Sequence, residues 1–212
     1  MSYLQSPDDV PAHPLEKAGY RLEFHDEFRG VELDRTKWLP FYLPQWSSRE
    51  RAAPCYALRN GTLILQITQD QQPWCPEFDG YTRCSSLQTG VFSGPLGSGV
   101  GQHRFNRSCV VREPQPAVRT YTPQYGYFEI RAKGVNTVPH MVTLWMIGYE
   151  DAPEKSAEIA IMEIKGAGVS AQGSRVGYGV HPWSDPAIMD EFYEEVVPID
   201  ARHYHIYAVE WT

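Results

Sequence analysis

At 212 residues, with 13% aromatic and 21% charged side chains, the chain has the size and composition for one sizeable core and is no disordered polymer. A formal net charge of −7 argues against nucleic acid as a partner and suits a neutral ligand. Seventeen Gly and seventeen Pro, spread along the sequence, point to many short strands joined by turns.

Residues 1–19 are polar, Pro-containing and aperiodic, which predicts an arm over the surface of a domain spanning 20–212. Met1 to Asp9 has neither a basic nor an apolar leader region, and no apolar run is long enough to span a bilayer; neither a secretory signal nor a membrane segment is expected. Tyr20–Phe24 alternates as a strand. Asn60-Gly61 then precedes the apolar run Thr62–Thr68, a strong tight-turn signal. Residues 69–86 and 94–117 read as long loops. The glycines of the second (Gly94, Gly97, Gly99, Gly101) look like a phosphate cradle only superficially. Pro95 interrupts them, and neither a parallel-sheet strand nor an amphipathic helix flanks them.

Period-2 patterning returns at Tyr125–Lys133, with Gly126, Phe128, Ile130 and Ala132 on one face and Tyr125, Tyr127, Glu129, Arg131 and Lys133 on the other. Further strands are predicted over 141–147, 158–164, 176–183 and 203–211. Helical periodicity is absent. The expected fold is an all-β sandwich of the jelly-roll kind. The last strand has no closing turn or cap, which predicts a domain incomplete at its C-terminal end.

Cys55, Cys75, Cys84 and Cys109 include no CxxC pair, which disfavours structural zinc. Cys75 and Cys84 flank a Pro-, Asp- and Gly-containing loop; a disulfide there and four reduced thiols are both compatible with the sequence. No His pair at ligand spacing and no Asp-rich calcium loop is present, so no metal ligand is assigned.

The stretch Glu158-Ile159-Ala160-Ile161-Met162-Glu163 sets two carboxylates in an apolar strand, where burying an unpaired charge is costly. Strict alternation puts Glu163 on the core face, opposite to Glu158. A one-residue bulge near Ile161-Met162 returns both to one face, with Cα atoms about 13 Å apart and carboxyls able to lean to about 5–5.5 Å, the separation of retaining glycosidases.

In order along the chain, His25-Asp26-Glu27-Phe28, Leu33–Trp38, Tyr125–Lys133, Leu144-Trp145-Met146, the acidic stretch and His205–Thr212 together resemble glycoside hydrolase family 16, the laminarinase- and lichenase-like β-glucanases. The resemblance implies a concanavalin A-like jelly roll and a retaining endo-glycosidase acting on β-1,3 or β-1,3-1,4 glucan. Glu158 would be the nucleophile and Glu163 the acid/base. The family pattern is Glu, one residue, Asp, two residues, Glu; here Ala160 stands where the family has Asp. In the family that Asp hydrogen-bonds the nucleophile, and losing one such bond costs about 1–3 kcal/mol, roughly ten- to a hundredfold in rate. Ala160 therefore also motivates a second reading, a non-catalytic glucan-binding module. A transglycosylase would use the same covalent intermediate.

Substrate-contact candidates are Trp145, His181 and Trp183, which match cleft positions of the family, and Trp74 and Glu77 in the loop Gln72–Gly80. Trp183 is expected on the strand face of His181; a structural histidine is an equal reading for His181. Trp46 and Arg49 are weaker candidates. Glu129, Glu194 and Glu195 read as solvated charges with no chemistry. The expected partner is a polysaccharide or oligosaccharide, the expected state a monomer without cofactor. The resemblance adds a structural calcium away from the cleft as an open question and favours an extracellular setting.

Overall fold

The computed structural model describes residues 6–152 and 155–212. Among these residues the strands are β1 (Cys55–Leu58), β2 (Leu63–Gln66), β3 (Gly90–Val91), β4 (Val118–Arg119), β5 (Gly126–Ala132), β6 (Met141–Ile147), β7 (Glu158–Lys165), β8 (Val169–Ser170), β9 (Gly173–His181), β10 (Glu191–Val197) and β11 (His205–Trp211). A single turn of helix, α1 (Pro76–Asp79), lies within the predicted loop 69–86. The molecule is all-β.

Two compact units form. The first takes the N-terminal segment through Leu22, Pro123–Ile147 and Ala157–Thr212; the second takes Glu23–Thr122 and Gly148–Ser156.

In the first unit the order β10-β9-β7-β6, with β8 also beside β9, makes an antiparallel sheet, and β5 pairs with β11 in a second layer. The layers meet through alternate side chains. Ile161, Met162, Ile164 and Val176 are buried, and Val142, Leu144 and Met146 of β6 pack with them against Phe128, Ile130, Tyr207 and Val209. Alternation along β5 thus faces the core as its sequence predicts, while β6 leaves Thr143, Trp145 and Ile147 on the opposite, outer face. The arm rests on this unit from Ser6 onward: Val10 N–H donates to Tyr204 O at 2.8 Å, and Arg131 Nε donates to Val10 O at 2.7 Å.

The second unit holds the hairpin β1–β2, turned by Asn60 and Gly61 at φ +53 and +67, the primed geometry that Asn-Gly favours. Its core gathers Leu43, Trp46, Trp74, Cys75, Cys109 and Val111. All four cysteines are free, so no bridge closes the Cys75–Cys84 loop. Burial pushes the Cys75 and Cys84 thiols up to about 12.

Three expectations need correction. Tyr20–Phe24 forms no ladder; its aromatics are held by ring contacts instead, Tyr20 on Tyr127 and Phe24 stacked on Tyr121 at 4.8 Å. The predicted strand 176–183 runs from Gly173 and stops at His181, because Pro182 has no N–H to continue the ladder. A seven-residue strand, β10, lies where none was predicted, although Glu194 and Glu195 are exposed on it, the solvated charges that the sequence suggests.

Candidate active site

The site is built on β7. Across β7 and β9, Ala160 pairs with Gly179 and Glu163 with Gly177, three residues on one strand against two on the other. Across β6 and β7, Leu144 pairs with Met162 and Trp145 with Ala160, so the extra residue is seen from both neighbours. This is a β-bulge at Ile161–Met162. Both bulge residues pack into the core, and the backbone re-emerges with Glu163 on the face of Glu158 and Ala160.

Glu158 opens the strand opposite Ile147 of β6 and His181 of β9 and is 6% exposed. Burial pushes its carboxyl above the ordinary glutamate value. The Trp183 hydrogen bond and the His181 charge oppose that shift, and Glu163 adds to it. Trp183 Nε1 donates to Glu158 Oε2 at 2.7 Å. Glu163, half-buried, lies opposite Thr143 and Gly177.

Around the pair, Trp145 lies directly across from Ala160. His181 stacks on Phe192 with centroids 4.8 Å apart and an interplanar angle of 19°, and its Nδ1 lies 3.2 Å from Asp190 Oδ1. Trp183 lies beyond the end of β9, not on it, at φ +47, with its ring edge-on to His181. His181, Pro182, Trp183 and Asp190 line a hollow of about 290 Å³, at the small end of ligand-pocket size. Gly177 and Gly179 clear the sheet for Phe192: a Cβ on Gly177 would sit 2.7 Å from Phe192 Cζ, and Gly179 adopts φ +143.

No protein-family model matches the chain, and no match to a curated protein was found. Among solved structures it is similar to a GlcNAcα1-4Gal releasing endo-β-galactosidase from Clostridium perfringens, with 36% identity and a TM-score of 0.81 over 97% of this chain. The chain spans 51% of that protein's length. It is more distantly similar to a structure described under endo-acting O-glycanases that prominent members of the human gut microbiota express to initiate mucin breakdown. That match has 16% identity and a TM-score of 0.49 over 94% of this chain and 68% of the other. The chain has a glycoside-hydrolase-like fold.

Within that fold the seven candidate residues separate by unit. Glu158, Glu163, Trp145, His181 and Trp183 come together in the first. Trp74 and Glu77 belong to the second. Trp74 is 1% exposed, packed against Tyr42 and Phe105, with its Nε1 donating to Asp79 Oδ2, so no face of its ring is open to a sugar. Glu77 pairs with Arg112 at 3.1 Å and Arg51 at 3.7 Å. Sequence reasoning missed Phe192 and Asp190. No periodic signal marks them: the residues that alternate with Phe192 are Glu194 and Val196, so neither face of the strand reads as apolar. Among the described residues no three His, Cys, Asp or Glu side chains gather to hold a metal ion, and no helix is long and apolar enough to cross a membrane.

Proposed function

We propose that the chain carries the catalytic centre of a retaining endo-glycosidase, with Glu158 as nucleophile and Glu163 as acid/base. The observation that supports this is the bulge of β7, which gives two carboxylates of one strand the same outer face. Glu158 attacks the anomeric carbon as the glycosidic C–O bond breaks, and Glu163 gives its proton to the leaving oxygen. Glu163 then takes a proton from water, whose oxygen displaces Glu158 and restores the starting configuration. Trp145, beside Ala160, offers an indole to the apolar face of a sugar ring, and His181 and Trp183 line the adjoining hollow.

For the substrate, the 36% identity to an endo-β-galactosidase favours a β-galactosyl linkage within a glycan over the β-glucan implied by the family resemblance. A sugar acceptor in place of water would make the same centre a transglycosylase. Ala160 favours one further reading, a glycan-binding module without turnover, because it leaves β7 with no polar group between the two acids.

The test uses the intact protein on an aryl β-galactoside, a GlcNAcα1-4Gal-terminated glycan, laminarin, lichenan and agarose. Release is expected from a β-galactosyl substrate and lost in Glu158→Gln. Glu163→Gln should lose about 10²- to 10⁴-fold on the glycan, and less on an aryl glycoside whose leaving group needs no proton. A 2-fluoro glycoside should label Glu158. Binding without release or labelling selects the module instead.

A further inference from the structure

We propose that Trp183 is the positioning residue for Glu158, supplying from beyond the end of β9 the hydrogen bond that position 160 of β7 lacks. Its catalytic consequence rests on the glycosidase reading; the contact itself does not.

Three observations carry the proposal. Ala160 is buried at 2% exposure and brings only a methyl group to the face between the two acids, so β7 cannot orient its own first glutamate through that position. Trp183 Nε1 reaches Glu158 Oε2 at 2.7 Å, the length of a charge-assisted bond, and an indole N–H can only donate, so the contact strengthens as Glu158 ionises. Third, the backbone at Trp183 takes φ +47, a left-handed conformation that a bulky residue rarely adopts. Nothing about an exposed loop demands a tryptophan there; Gly or Asn would fit the turn more easily. The conformation is kept together with the contact that it allows.

The indole is held in turn. Pro182 fixes the exit from β9, His181 meets the ring edge-on at 6.1 Å, and Phe192 backs His181. The titratable groups facing Glu158 are Glu163 on its own strand and His181 on β9, the latter reached by Asp190; β6 presents Ile147 opposite it, which carries no charge.

Trp183→Phe tests the idea, because it keeps an aromatic ring at the position and removes the N–H donor. The carboxyl of Glu158 is followed by carbon-13 NMR through a pH titration, and kcat and KM are measured on an aryl β-galactoside. The midpoint of Glu158 should rise by about one pH unit, and kcat should fall about 10- to 100-fold with KM moved less than about threefold. An unmoved midpoint overturns the proposal, as does a raised KM with kcat unchanged, which would make Trp183 a sugar platform alone. If the midpoint rises while the unmutated protein releases no sugar, the positioning contact stands and the glycosidase reading falls.

Discussion

Glu158 and Glu150 are both buried carboxylates, and they differ in what surrounds them. Glu158 has an indole donor, a facing histidine and a neighbouring acid. Glu150, 7% exposed at φ +59, accepts from the backbone N–H of His103 at 2.7 Å, and burial pushes its carboxyl up to about 7. Its ordinary value is 4.5, so the folded state favours the neutral acid. The destabilisation is absent below pH 4.5, grows as pH rises, and is complete above about 7. Glu150→Gln should therefore raise the unfolding free energy at pH 8 by up to about 3 kcal/mol, and by little at pH 4.5, in urea titrations at the two pH values. His103 acts in the opposite sense. Burial lowers it to about 4, so its penalty appears as pH falls from 6.5 and is complete below about 4. For Glu158, which as the proposed nucleophile has to be ionised, the raised value predicts an acid limb of kcat/KM above the ordinary 4.5.

Strands were legible where a buried face imposes period 2. β5, β6 and β7 lie where alternation puts them, and the bulge lies where two acids on one face require an extra residue. β10 was obscured because four of its seven positions are Glu or Tyr, so neither face reads as apolar. Trp183 was misplaced by extrapolating strand alternation through a proline, where the ladder ends. Its contact with Glu158 depends on a left-handed residue, which no pattern of side-chain types announces. The glycines of β9 give a graded test at this scale. A Cβ on Gly179 would meet Glu191 O at 2.1 Å at an unfavourable φ, whereas one on Gly177 meets the Phe192 ring and, at 3.3 Å, the Glu163 Cβ. Both alanine variants should be destabilised by about 1–3 kcal/mol, Gly179→Ala more than Gly177→Ala, in urea unfolding.

Across the whole molecule, the all-β class followed from composition and turns, but the division into two units did not. The second unit is rich in loops and short strands, and its core rests on residues such as Trp46 and Trp74 that lie outside any periodic segment. An aromatic in such a loop reads as a binding candidate from sequence and turns out to be ballast for the core. The expected signature is simple: Trp74→Ala should lower the unfolding free energy by about 3–5 kcal/mol, whereas Trp183→Phe should lower it by only about 1 kcal/mol, the linkage cost of a one-unit rise in the Glu158 midpoint, measured by urea denaturation at pH 8.

The acids of β7 are separated by a count of residues along one strand. Their common face is therefore set by the backbone of β7 and its pairing with β6 and β9, within a single sheet. Loops around the sheet can be lengthened, shortened or exchanged, and the pair travels intact as a cassette. In such a scaffold the loops can drift while the two acids keep their common face, so long as no residue is gained or lost between Glu158 and Glu163 and the turn after β9 keeps Trp183 against Glu158.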